Sequence, residues 1–206
     1  MRIITISREF GSGGRELGKR LAEQLGFNYF DREIITEIAK KTELDEHYIN
    51  TVLEKGITAY PIHIGQTFAG VSTINHTPIE VLIAQQKILK ELAEKGDAVF
   101  IGRSADAILK EYNPLNIFVY ADMEYKLARC KAKGEVDVNL KDKVLRRKIK
   151  NVDKGRYRNH NVIGNTKWGD RKSYHLMVNT TDLKIADIVP AVKEYAIKYF
   201  EKNENK

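Results

Sequence analysis

Three glycines in four residues, Gly11, Gly13 and Gly14, separate an apolar run from a helical pattern. The run is Arg2 to Ser7, carrying Ile3, Ile4 and Ile6, and it reads as a buried strand. The pattern is Glu16 to Leu25, with Leu17, Leu21 and Leu25 on one face and Gly26 as a stop. Strand, glycine loop and helix in succession let main-chain amides curl around an anion and aim a helix N-terminus at it. Arg15 adds a side-chain cation at the start of that helix. A tight strand-to-helix turn also needs glycine, so glycine content by itself is weak and the full succession is the stronger signal.

The rest of the chain repeats the alternation. Strands are expected at Phe27–Phe30, Ala98–Ile101, Asn116–Ala121 and His175–Asn179. Helices are expected at Arg32–Lys41, Asp45–Lys55, Ile79–Lys95, Ser104–Tyr112, Met123–Lys133 and Lys141–Lys154, with a last one from Asp182 to about Phe200. Pro190 is a blemish in that last helix, and the stretches 56–78 and 159–172 read as loops. Such alternation argues for a parallel sheet covered on both faces, with ligands bound where the strands end. We expect a single domain over 1–206, with an acceptor-binding insertion at about 32–95 and a basic lid at about 141–172. Gly155 and Gly164 are candidate hinges of that lid.

Composition narrows the function classes. Lys and Arg number 35 against 28 acidic residues, a net charge of +7. Residues 141–172 hold 12 of those cations against Asp142, Asp153 and Asp170, so the local charge is +9 and the remainder is slightly acidic. A local positive field implies a polyanionic partner, although a solvated basic helix also fits. Cys130 is the single cysteine, which excludes an internal disulfide and a thiolate metal cluster. No apolar run approaches the ~20 residues that span a bilayer, so no membrane is expected and the location is read as cytoplasmic. The five histidines share no ligand spacing, and Trp168 reads first as core.

The glycine loop departs from the usual G-x-x-x-x-G-K-[ST] phosphate loop. Aligned on Gly13, the first glycine becomes Arg8, the lysine becomes Gly14, and Arg15 follows. Either the Arg15 guanidinium replaces the ammonium, or the loop binds phosphate without efficient transfer.

The whole chain resembles the cytidylate kinase-like proteins, a branch of the P-loop nucleoside monophosphate kinases. The residues that carry the likeness are Ser7 to Glu16, Tyr29-Phe30-Asp31-Arg32-Glu33, Ile101-Gly102-Arg103, Asp153-Lys154-Gly155-Arg156-Tyr157, Lys167-Trp168-Gly169-Asp170 and Val178-Asn179-Thr180-Thr181. The resemblance implies a three-layer P-loop NTPase-type fold: a five-stranded parallel sheet, helices on both faces and a helical lid. It implies ATP-dependent transfer to a nucleoside monophosphate, CMP or a related pyrimidine nucleotide, with Mg2+ as cofactor.

By that likeness the nucleotide phosphates would rest on Gly11, Ser12, Gly13, Gly14, Arg15 and Glu16, with Arg129 facing the adenine or the lid. Asp31, Arg32 and Arg103 would hold the acceptor; Asp31 reads equally as a helix cap. Arg15 with Arg147, Asp153 and Arg156 of the lid would stabilise the transfer, although the spacing to Arg147 is not the family's usual one. Ile101 and Ser104 stand where the family has acids, which leaves Glu9, Glu16 and Asp106 as the magnesium candidates. The alternatives are a nucleotide-binding regulator without turnover, and an RNA-binding protein using 141–172. The absence of an aromatic RNA-binding motif in the sequence counts against the second, so nucleic acid is not an expected partner and a small nucleotide is.

Overall fold

A computed structural model describes residues 1–55, 78–134, 136–137, 140–164 and 166–204. The expected loop at 56–78, including His63 and His76, lies almost wholly outside the described residues. Five strands form one parallel sheet: β1 (Ile3–Arg8), β2 (Asn28–Phe30), β3 (Ala98–Ile101), β4 (Leu115–Tyr120) and β5 (Leu176–Asn179). Their order across the sheet is β2-β3-β1-β4-β5, so β1 is central. Its register, Ile4 opposite both Val99 and Leu115, places its end beside the ends of β3 and β4.

Each face of the sheet has its own core, as period-two alternation in a doubly covered sheet requires. On one face Ile4, Ile6, Val99 and Ile117 pack with Leu17 and Leu21 of α1 (Gly14–Leu25) and with Val189 of α8 (Ile185–Glu204). On the other, Ile3, Ala98 and Phe100 pack beneath α2 (Glu33–Thr42), α3 (Glu46–Lys55) and α4 (Pro78–Ala93). A single turn of helix, α5 (Ala105–Ile108), follows β3, and a ten-residue helix, α6 (Met123–Ala132), follows β4. Fully burying one such aliphatic side chain contributes about 1.5–3 kcal/mol.

One element is longer than expected. The basic helix α7 runs from Asp142 to Ile163, past the expected end at Lys154 and into the expected loop from 159. Asn159-His160-Asn161 has a loop-like composition, but tertiary contacts hold it helical. The Asn159 amide donates to the Val52 and Leu53 carbonyls of α3, and His160 bonds Asp106 of α5 at 2.8 Å. Gly155 is therefore a buried position inside a continuous helix. Gly164 is the C-cap, where an added Cβ would come within 2.7 Å of the Ala107 Cβ. Pro190 sits inside α8 without ending it. No helix among the described residues is long and apolar enough to cross a membrane.

Candidate functional site

The glycine loop leaves the central strand at the edge where all five strands end. Gly11 and Gly13 take φ of +79° and +84°, a left-handed conformation that side chains strain to adopt. The space is closed as well: a Cβ on Gly11 would meet the Cys130 Sγ at 2.7 Å, and one on Gly14 the Arg8 Cβ at 2.5 Å. Glycine here serves both the turn and the close approach. Ser12 is fully buried, and its hydroxyl donates inward to the Glu9 carbonyl at 2.9 Å rather than outward. Its own carbonyl accepts from the Thr180 hydroxyl at 2.7 Å, which ties the loop to the turn after β5.

A cleft of about 960 Å³ opens in front of this loop. Ten Lys or Arg side chains line it against five Glu, so its field favours anions. Arg15, Arg32, Arg103, Arg129 and Arg156 all reach it. Asp31, only 5% exposed, receives the Arg15 Nε at 2.6 Å and stands 4.0 Å from the Arg8 Nη2. Its Oδ1 has no hydrogen-bond partner. It does not cap α2, whose N-cap position is Arg32; its carboxylate faces the arginines instead.

Arg8 is the residue that sequence reasoning passed over. Its guanidinium runs where a Gly102 side chain would be, 1.5 Å from the site of the missing Cβ. Burial pulls its pKa down, the nearby Arg156 adds to this, and Asp31 opposes it. Arg103 adopts φ +58°, donates to the Asn50 Oδ1 at 3.3 Å, and keeps a buried Nε without a partner. Burial brings Arg103 down to about 10 against the pull of Glu54 and Asp31. Arg156 donates to the Arg8 carbonyl at 2.9 Å and lies 3.5 Å from Asp153. Asp153 in turn accepts the Phe10 amide at 2.7 Å. A cationic residue at the end of a central strand, followed by a glycine after the neighbouring strand, was the available signal for Arg8.

Two expected residues stand apart from this group. Arg147 is exposed and does not line the cleft. It lies nine positions before Arg156, about two and a half helical turns, so the two point to opposite sides of α7. Asp106 is buried, with its Oδ2 on His160. The magnesium candidates do not converge. Glu16 binds Arg129 at 2.7 Å, Arg20 at 3.0 Å and Lys133 at 3.3 Å. Burial alone would raise its pKa, but these three partners hold it at about 2. Glu9 is paired with Lys126 at 2.7 Å. Among the described residues no three ligating side chains gather in a form that fits a metal ion.

The sequence profile of the cytidylate kinase-like family matches residues 3–182. The chain belongs to that family. No curated protein matches it. Among solved structures, this cytidylate kinase-like protein is similar to an uncharacterized protein from Eubacterium ventriosum, 24% identical, covering 95% of this chain and 98% of that one, with TM-score 0.67. It is also similar to shikimate kinases. That from Acinetobacter baumannii, in complex with shikimate, is 18% identical over 100% of this chain and 96% of its own, with TM-score 0.54. That from Bacteroides thetaiotaomicron is 15% identical over 94% and 97%, with TM-score 0.52. At these identities the likeness is one of fold: a P-loop kinase sheet with helices on both sides. By family and fold, the cytidylate kinase-like protein is a kinase-like phosphotransferase.

Proposed function

We propose that the protein transfers a phosphoryl group from ATP to a nucleoside monophosphate, CMP or a related pyrimidine nucleotide. The observation that carries this reading is the glycine loop at the floor of a cationic cleft, with the first residues of α1, Gly14 to Glu16, in the cleft wall. Amides and a helix N-terminus suit the donor's phosphates. Arg15, paired with Asp31 in this structure, supplies a planar fork for them once it leaves that partner. The base of the donor has room beside Arg129, where a second cavity of about 490 Å³ is lined by Tyr125, Lys133, Leu183 and Lys184. The acceptor's phosphate suits the guanidinium group of Arg103, Arg8 and Arg156, with Arg32 at its rim. Asp31, expected to touch the acceptor, is buried and outside the lining of the cleft, and acts through its pairing with Arg15 and its place beside Arg8.

An acceptor phosphate oxygen would attack the terminal phosphorus in line while the bridging oxygen leaves with the rest of the donor. An ionised phosphate needs no general base; it needs alignment and cations around the migrating group. Arg15 and Arg156 supply those, and Asp153 positions Arg156 while holding the Phe10 amide. Glu9, Glu16 and Asp106 are each committed to other partners and do not gather into a site that fits a metal ion.

A second reading, a nucleotide-binding regulator without turnover, is favoured by the Arg15–Asp31 pair, which turns the lysine substitute away from the loop. One experiment separates the two. The protein is mixed with ATP, Mg2+ and a panel of nucleoside monophosphates, with shikimate included because of the structural neighbour, and ADP is measured. Product with a pyrimidine monophosphate supports the kinase. ATP binding without ADP from any acceptor supports the regulator.

A further inference from the structure

The nucleotide cleft takes only Lys148, Val152 and Arg156 from α7. Most of the charge of α7 lies on its other side. Lys143, Arg147, Lys150, Lys154 and Arg158 follow one another at four, three, four and four residues, and all five are exposed. At 1.5 Å per residue they form one stripe about 22 Å long. Among the described residues none of the five lies in an ion pair. Of the acids of α7, Asp142 bonds Lys131, and Asp153, which accepts the Phe10 amide, stands with Glu9 in the wall of the cavity beside the stripe, where a base and not a phosphate would lie.

A cavity of about 460 Å³ adjoins this stripe. Its walls include Phe118 and Tyr120 of β4, Tyr157 of α7, and Trp168. Lys154 belongs to both the stripe and the cavity wall. Tyr157 is 43% exposed, and Tyr120 and Trp168 are half-buried. Phe118 packs edge-on to Trp168, centroids 5.0 Å apart, which fixes the indole in the wall. These aromatics come from three separate stretches of chain, and only the fold brings them together.

We propose that this outer face of α7 binds a single-stranded nucleic acid, its phosphates on the stripe and one unstacked base in the aromatic cavity. Cations tracking a backbone beside aromatic rings that take bases is the chemistry of single-strand recognition. A duplex hides the base faces that such a cavity would stack. An anionic lipid surface would also attract the stripe, but its headgroups carry no planar ring for the aromatic cavity, and the vesicle control separates the two. The cations and rings of the face serve either backbone, so RNA and DNA strands are both tested.

Fluorescence anisotropy with fluorescein-labelled 12-mers of single-stranded RNA and DNA reads the binding, with the matching duplex and phosphatidylserine vesicles as controls. Each variant's thermal unfolding is recorded alongside. The expected result is single-strand binding that weakens with salt at a log–log slope of about −3.5 for five cations. Tyr157→Ala weakens it by about 5- to 150-fold, as the loss of one stacked base does, while Tyr157→Phe retains it and Tyr157→Ala leaves any duplex binding unchanged. Lys143→Glu, Lys150→Glu and Lys154→Glu together abolish it in a folded protein. Excess ATP does not displace the strand. The proposal is overturned by no binding at 50 mM salt, by wild-type affinity in Tyr157→Ala, by displacement with ATP, or by capture on vesicles in place of oligonucleotide.

Discussion

The Asp153 carboxylate accepts the Phe10 backbone amide at 2.7 Å, a hydrogen bond across 143 positions of the chain. It fastens α7 to the glycine loop at the point where the loop leaves the central strand. The same carboxylate lies 3.5 Å from the Arg156 guanidinium, which donates to the Arg8 carbonyl. Loop, helix and strand end thus share one buried polar junction.

That junction makes stability depend on pH. Burial pushes Asp153 up to about 6, and Arg156 and the Phe10 amide only partly offset this. A carboxyl raised in the folded state binds its proton more tightly there than in the unfolded chain. Its contribution is therefore favourable below about pH 4 and is lost as pH rises through 6, on the order of 3 kcal/mol. Asp153→Asn should gain stability relative to the wild type across pH 4 to 6 and hold that gain above it. Urea unfolding of both proteins over pH 4 to 8 checks this; a constant difference would count against a titrating Asp153.

Arg15→Ala should weaken ATP binding and abolish any transfer. It should also cost roughly 1–3 kcal/mol, because the buried Asp31 carboxylate loses its closest hydrogen-bond partner. Arg15→Lys keeps the charge but not the fork, and should recover binding better than turnover. Calorimetric titration with ATP, paired with thermal unfolding, measures both effects. Wild-type turnover in Arg15→Ala would remove that residue from the site.

Two glycines around Arg8 should fail in different ways. On Gly14 an added methyl meets the Arg8 Cβ at 2.5 Å and the Val119 Cβ at 3.2 Å, both rooted in strands that cannot move aside. On Gly102 it meets the far end of the Arg8 side chain, at a φ of +66°. Gly14→Ala should therefore lower stability by about 2 kcal/mol or more through overpacking. Gly102→Ala should cost about 1–2 kcal/mol for its left-handed backbone, and displace the Arg8 guanidinium into the cleft. Chemical denaturation ranks the two, and the acceptor KM rises in Gly102→Ala if Arg8 helps hold the acceptor.

Arg103→Glu should raise the acceptor KM at least 10-fold and leave ATP affinity within about 3-fold, since Arg103 sits away from the glycine loop among Asn50, Gln85 and the Arg8 guanidinium. Steady-state kinetics with the acceptor found in the panel reads this directly; an unchanged KM takes Arg103 out of the acceptor site.

The sheet was legible because each strand is a short apolar run closed by a breaker, as in Ala98 to Ile101 before Gly102. The loop was legible because Gly11, Gly13 and Gly14 stand together. The end of α7 was not, because Asn159 and His160 are helical through bonds to α3 and α5 that no local pattern encodes. The separation of Arg147 from Arg156 was available from helical spacing alone. The commitment of Glu16 to three cations was not, since Arg129 and Lys133 arrive from α6 and the turn after it.

The sequence by itself determined the alternation of strand and helix, the anion-facing glycine turn and the concentration of charge in 141–172. These are local properties, set by periodicity, by backbone freedom and by composition. Only the tertiary structure decided which charges meet. It gathered Arg8, Arg103 and Arg156 around one cleft and turned Lys143, Arg147 and Lys150 away from it. It also assembled Phe118, Tyr120, Tyr157 and Trp168 from distant stretches into one wall. Contacts of that kind depend on strand order and helix orientation, and neither is written in any short stretch of the chain.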